Sequence, residues 1–243
     1  MISPYIRSFY SGFKRLTPEP VEDFVRTRIV NLFHRIWYNA TDSWQRNTYM
    51  GYPVLQIPMD LWLYQELIFR ERPACILQTG VAEGGSLLYF AHLLDLTGAP
   101  ASCLVIGVDI TLSPKAQTLR HGRIRLVEGD STAPEVIARL EELRNGLPAL
   151  VILDSDHRRD HVLRELERYH HMVPAGGCLV VEDTNVNGHP VYHSHGPGPF
   201  EAVEEFLSVH DDFIRDDGIW KRNLLSFHQY GWLRRRANSP RAS

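Results

Sequence analysis

Two stretches end in residues that can do chemistry together: ALVILDSDH, residues 149–157, and CLVVEDTN, residues 178–185. Each is apolar up to its tip and then turns acidic, which places Asp154 after one run and Glu182 and Asp183 after the other. Three carboxylates at neighbouring strand tips repel one another unless a cation sits among them, and a set made only of oxygens suits Mg²⁺. Such an ion holds two substrate oxygens in place and makes a bound hydroxyl more acidic. His157, three residues beyond Asp154 at the start of a helical pattern, is placed to take the hydroxyl proton. Two alternatives stand beside this reading: Asp156 as base or extra ligand, and His157 with His161 as a zinc pair at i, i+4 spacing. The plainer alternative is that the carboxylates are helix N-caps.

A second constellation lies at ILQTGVAEGGS, residues 76–86. A Walker A loop would need GxxxxGK[ST], and this turn has no lysine. A dinucleotide turn would need GxGxxG, but position 82 is alanine, so the residue that lets a pyrophosphate approach the backbone is missing. A nucleoside without a diphosphate needs less: a glycine turn, here Gly80, Glu83, Gly84, Gly85 and Ser86, and an acid at the end of the next strand for the ribose hydroxyls. VIGVD ends on Asp109, and the following strand ends in GDS, placing Asp130 and Ser131 near an adenine edge. S-adenosylmethionine fits this set, with Gln78 and Asp154 also lining it. Asp109 or Asp130 alone would serve equally as a helix cap.

The elements that must position these residues follow from periodicity. Apolar runs at 74–78, 101–109, 124–128, 149–154 and 177–183 alternate with helical stretches near 85–97, 113–119, 134–144 and 158–171. Runs apolar on both faces, separated by helices, predict an α/β fold with a doubly wound, mostly parallel seven-stranded sheet. Two further strands, around 213–215 and 223–229, complete it, the last entering antiparallel because the connection is short. Before the sheet, Val21, Phe24, Val25, Ile29, Leu32, Phe33, Ile36 and Trp37 recur at helical spacing, and a second helix runs from Asp60, read as its N-cap, to about Arg70. The predicted organisation is an N-terminal helical extension and cap over 1–72, a nucleotide-binding domain over 73–233 and a disordered tail over 234–243. TNVNGHPVYHSHGPGPF, residues 184–200, has no periodicity and reads as a substrate-covering loop that brings His189, His193 and His195 towards the acceptor.

Composition narrows the partners. Lys+Arg 26 against Asp+Glu 29 leaves none of the basic excess that nucleic acid binding needs. Cys75, Cys103 and Cys178 sit in or beside apolar runs with no CxxC spacing, which fits buried thiols in a reducing, cytoplasmic compartment. No stretch reaches the ~18 apolar residues of a membrane span, and the N-terminus lacks a signal-peptide h-region. The apolar N-terminal helix predicts a homo-oligomer.

Taken together, ILQTGVAEGGS, VIGVDI, EGDS, VILDSDH, GGCLVVEDTNVNGHPV and GPGPFEAVEEF resemble the cephalosporin hydroxylase family, over roughly residues 45 to 235. That family has the class I methyltransferase fold, binds S-adenosylmethionine and includes rhamnosyl O-methyltransferases. The resemblance implies Mg²⁺ held by Asp154, Glu182 and Asp183, and methyl transfer to a hydroxyl of a sugar or glycosylated natural product. A more distant likeness to catechol O-methyltransferase places a general base where this chain has His157 in place of lysine. Class I methyltransferases usually carry an acid two positions before the first glycine; here it is Gln78, with Glu83 nearby as a substitute charge. A non-catalytic S-adenosylmethionine-binding partner in a biosynthetic complex is the competing reading. An oxygenase reading, suggested by the family name, lacks a clear pair of histidines beside a carboxylate for iron.

Overall fold

The structure, a computed structural model, describes residues 19–237. It comprises two compact units, one through Ala40 and one from Thr41. The first contains a single described helix, α1 (Glu19–Asn39), whose Phe24, Ile29, Leu32 and Ile36 side chains are exposed.

The second unit opens with a short hairpin, β1 (Thr48–Tyr49) and β2 (Tyr52–Pro53), and a helix, α2 (Pro58–Glu71). The sheet follows: β3 (Cys75–Thr79), β4 (Leu104–Asp109), β5 (Ile124–Glu128), β6 (Ala149–Leu153), β7 (Cys178–Val181), β8 (Phe213–Arg215) and β9 (Trp232–Arg235). Between the strands lie α3 (Gly85–Leu96), α4 (Pro134–Arg144), α5 (Arg159–Tyr169) and α6 (Pro199–Val209). The strand order is β5-β4-β3-β6-β7-β9-β8, parallel except for β9, which is antiparallel to both its neighbours. The alternation of apolar runs and helices therefore produced the doubly wound sheet it predicts.

Because strand side chains alternate, the sheet builds two cores. Ile76, Val105, Ile152 and Val180 join Tyr64, Leu67, Leu87, Phe90 and Trp232 on one face. Leu77, Ile106, Val151 and Leu179 join Leu140, Leu166, Phe206 and Phe213 on the other. Both faces are covered, which is why the central strands read as continuous apolar runs. Strand order reverses between β3 and β6, so a crevice opens at the carboxyl ends of those two strands.

Three sequence expectations change. Asp60 does not cap α2, which starts at Pro58 with Ile57 as its N-cap; the carboxylate is fully buried and accepts the Phe227 N–H at 2.8 Å. The last strand is 232–235, not 223–229, where a 3₁₀ turn (Lys221–Asn223) and further turns run instead. Arg234 and Arg235, assigned to a polar tail, belong to β9, because Asp216 and Glu71 pair with Arg234 at 2.6 and 2.8 Å and Asp212 pairs with Arg235 at 3.0 Å. Arg236 follows with its N–H donating to the Asp212 carbonyl at 2.7 Å, and 238–243 lies outside the described residues.

Candidate functional site

β6 and β7 are parallel with Leu153 opposite Val181, so Asp154 and Glu182 step off adjacent strands side by side. Asp183 follows in the left-handed region at φ +52°, and its N–H donates to His228 Nδ1 at 3.0 Å. One ligand atom from each of Asp154, His157 and Asp183 lies within 4.8 Å of the others, and His157 Nε2 is 3.2 Å from Asp183 Oδ2.

Electrostatics at this cluster are unfavourable without a cation. Burial, then the charges of Glu182 and Asp183, push the Asp154 carboxyl well above its usual range. Burial also raises Asp183, against the pull of His157 and His195. Glu182 rises from 4.5 to about 8, again through burial, while a hydrogen bond from Tyr64 opposes the shift and the charge of Asp183 adds to it. Acids that resist ionisation because they are crowded and desolvated form a donor set that a divalent cation would relieve, so the residues fit such an ion.

Glu182 is not in the group that converges within 4.8 Å. Gln56 Nε2 donates to both its oxygens, at 2.7 and 2.8 Å, and the Tyr64 hydroxyl donates to Oε1 at 2.6 Å. His228 completes the surround. Its Nδ1 accepts from the Asp183 backbone, which puts the ring hydrogen on Nε2, 3.4 Å from Asp60 Oδ2 and 3.5 Å from Glu182 Oε2. Asp60 itself is raised to about 7 by burial. Gln56, Tyr64 and His228 went unassigned in the sequence and Asp60 was read only as a helix cap, because Gln56 and Tyr64 approach Glu182 across 126 and 118 residues of chain. The available signal was a set of polar residues inside otherwise apolar segments.

The glycine turn is built by contacts within the chain. Gln78, buried at the tip of β3, donates from Nε2 to the Gly80 carbonyl at 2.7 Å and accepts from Ser86 Oγ at 2.9 Å, so the amide ties both ends of the turn. Ser86 is accordingly occupied inside the turn. A Cβ at Gly80 would lie 1.8 Å from the Asp154 carbonyl oxygen, and one at Gly85 would lie 2.2 Å from the Pro53 carbonyl oxygen. The glycines thus let the turn touch the strand end that carries Asp154 on one side and the β2 hairpin on the other; Gly84 packs against Leu119. Asp109 Oδ2 accepts the N–H groups of Val81 and Ala82 at 2.8 and 3.1 Å. The carboxylate therefore ties the start of the turn to the tip of β4, ahead of the N-terminus of α3 at Gly85. Glu83 accepts from Ser113 Oγ at 3.0 Å, across the mouth of the turn.

Residues after β5 divide. Asp130 is exposed and accepts from the Thr132 N–H and hydroxyl, the hydrogen bonds that hold its carboxyl low. Ser131, expected at the adenine edge, turns inward: its hydroxyl donates to the buried Glu165 at 2.5 Å and lies 3.1 Å from His161 Nε2. Ser155 donates to the same Glu165 oxygen at 2.7 Å, which joins the turns after β5 and β6. His161 thus faces Ser131 and Glu165, whereas His157 faces Asp183. Asp156 is claimed by Arg158, which brings its carboxyl down to about 2, so it is a poor base.

The 184–200 segment is anchored at both ends. Thr184, Asn185, Val186, Pro190 and Val191 are buried, and His189 lies 3.1 Å from Glu201 and against Phe200. Tyr192, His193 and Ser194 form its exposed tip. His195 faces Asp183 closely enough to lower its pKa.

With this geometry in place, comparison with known proteins is specific. A curated rhamnosyl O-methyltransferase from Mycobacterium tuberculosis H37Rv is 36% identical over 203 residues, 82% of this chain and 79% of that protein. One from Mycobacterium leprae is 35% identical over 234 residues, 95% and 99% respectively. The solved structure of CmcI with Mg and SAM shares the fold, with a TM-score of 0.58 at 24% identity over 83% of this chain and 84% of that one. Among the described residues no helix is long and apolar enough to cross a membrane. Residues 41–236, which hold the strand-tip carboxylates, the glycine turn and their buried supports, match the model named rhamnosyl O-methyltransferase/CmcI, and the chain belongs to that family.

Proposed function

We propose that this protein transfers the methyl group of S-adenosylmethionine to a hydroxyl of a sugar or glycosylated natural product in a Mg²⁺-dependent reaction. The observation that carries the reading is the convergence of Asp154, His157 and Asp183 at the switch point, in backbone contact with the glycine turn at Gly80. The names of the curated relatives support a sugar hydroxyl as acceptor, and the CmcI structure with Mg and SAM supports the cofactor pair.

Asp154 and Asp183 would hold the ion, with Glu182, fixed by Gln56 and Tyr64, supplying negative charge behind them. When bound, S-adenosylmethionine would supply an electrophilic methyl group and leave as S-adenosylhomocysteine, and Mg²⁺ would make the acceptor hydroxyl more acidic. His157 takes the hydroxyl proton, and Asp183 at 3.2 Å balances the imidazolium that results. Asp109, at the tip of β4, and the turn from Gly80 to Gly85 cradle the nucleoside, while Asp130 faces its base from the next strand end. Gln78 keeps the turn in shape without contributing charge. The exposed apolar face of α1 supports a homo-oligomer, and the three free, buried cysteines support a reducing, cytoplasmic setting.

The test is a panel of rhamnosides and other glycosides incubated with S-adenosylmethionine and Mg²⁺ and analysed by mass spectrometry. Addition of one methyl group to a sugar hydroxyl is expected. Donor binding with no methylation of any member would favour the non-catalytic partner instead.

A further inference from the structure

A second cluster of metal-ligating groups lies outside the cleft: Glu167, His170 and His210, with one ligand atom from each within 4.8 Å of the others. Topology places it at the opposite end of the sheet. α5 runs back from the tip of β6, so Glu167 and His170 lie at its end, before β7 begins; His210 directly follows α6 and precedes β8, which runs parallel to β7. Glu167 and His170 are three residues apart, with His170 still helical at φ −55° and ψ −34°, so their side chains share one face.

Both imidazoles are already oriented. His170 Nδ1 is 3.0 Å from the Leu166 carbonyl oxygen, which can only accept; that nitrogen therefore carries the ring hydrogen, and Nε2 keeps a lone pair. The His210 ring stacks on Phe206 with centroids 4.2 Å apart and lies 4.6 Å from the His170 ring. Its Nε2 is 2.9 Å from Glu167 Oε1. In a tetrahedral zinc site, neighbouring ligand atoms stand about 3.3 Å apart, so a metal replacing the hydrogen between His210 and Glu167 needs a shift of only a few tenths of an ångström. A simple histidine–glutamate ion pair would explain that contact alone. It would not explain a second imidazole, His170, with a ligand nitrogen in the same group and its ring already oriented by the Leu166 carbonyl.

We propose that Glu167, His170 and His210 form a zinc site that pins the turn between α5 and β7 to the turn between α6 and β8. Two imidazoles and one carboxylate match zinc sites that keep a fourth position for water, whereas Mg²⁺ favours all-oxygen sets such as the cleft carboxylates. The site is thus chemically distinct from the cleft and remote from it.

The experiment titrates Zn²⁺ into untagged wild-type protein and into Glu167→Gln and His170→Gln variants, with calorimetry for stoichiometry and thermal unfolding for stability. Glu167 is exposed, so its variant should keep the fold even if His210→Ala, which uncovers Phe206, does not. Expected are one fewer zinc equivalent in each variant and a zinc-dependent rise in the wild-type unfolding temperature that Mg²⁺ does not reproduce. Loss of a direct ligand should exceed the roughly tenfold to hundredfold cost of losing an outer partner. Equal zinc stoichiometry and affinity in wild type and both variants would overturn the site, as would uptake of Ni²⁺ or Cu²⁺ with no binding of Zn²⁺.

Discussion

His157 Nε2 lies 3.2 Å from Asp183 Oδ2, an imidazole from the turn after β6 facing a carboxylate from the turn after β7. Replacing His157 by Gln keeps a polar side chain but removes the proton acceptor, so kcat should fall by about 10²- to 10⁴-fold. Donor affinity, measured by calorimetry, should change little. An equal loss in turnover and in donor binding would show that His157 only holds the site together.

The crowded acids give a pH dependence with a definite sign. Without a cation, burial raises the Glu182 carboxyl from 4.5 to about 8 and that of Asp60 from 3.8 to about 7. A group with a raised folded-state pKa stabilises fully below its unfolded value, and that stability is lost as pH rises through the folded value. The urea midpoint of metal-free protein should therefore drop between about pH 4.5 and about pH 8. Mg²⁺, which favours the ionised carboxylates, should recover part of the loss at the higher pH. A midpoint that rises over this range, or that Mg²⁺ leaves unmoved, would contradict the arrangement.

Gly80 and Gly176 share a φ of +78°, but a Cβ at Gly80 meets the Asp154 carbonyl at 1.8 Å while one at Gly176 meets nothing within 4 Å. Gly176→Ala should cost only the left-handed strain, about 1 kcal/mol. Gly80→Ala adds a backbone clash and should cost on the order of 3 kcal/mol or more, read from urea unfolding. Similar costs at the two positions would mean that β3 and β6 are not in such close contact at their tips.

Gln78 carries a donor and an acceptor, and the turn uses both. In Gln78→Glu the carboxylate still accepts from Ser86 but faces the Gly80 carbonyl with no hydrogen to give. A stability loss of about 1–3 kcal/mol and weaker donor binding are expected. Tighter donor binding in this variant would instead assign the position to charge pairing with the donor's ammonium.

The sheet and the strand-tip acids were legible because each depends on local pattern: an apolar run, its length, and the residue at which it ends. Asp154, Glu182, Asp183 and Asp109 all lie at such ends. What surrounds them was not legible. Asp60 has the look of a helix cap, yet its partner is the backbone of Phe227, 167 residues away. Ser131 sits at the right strand end but rotates to Glu165, 34 residues on, and no spacing rule shows which way a serine turns. β9 was misplaced because residues 223–229 carry enough apolar side chains for a strand, while Arg234 and Arg235 look like the start of a tail until Asp216, Glu71 and Asp212 supply their partners.

The most direct measurement is the initial rate of methyl transfer from S-adenosylmethionine to a rhamnoside, with and without EDTA, for wild-type protein and Asp183→Asn. Transfer that stops with EDTA, returns with excess Mg²⁺ and is lost in Asp183→Asn despite intact donor binding is the expected result. Methylation that proceeds unchanged under chelation, or that survives in Asp183→Asn at the wild-type rate, would contradict a metal-assisted reaction at Asp154, His157 and Asp183.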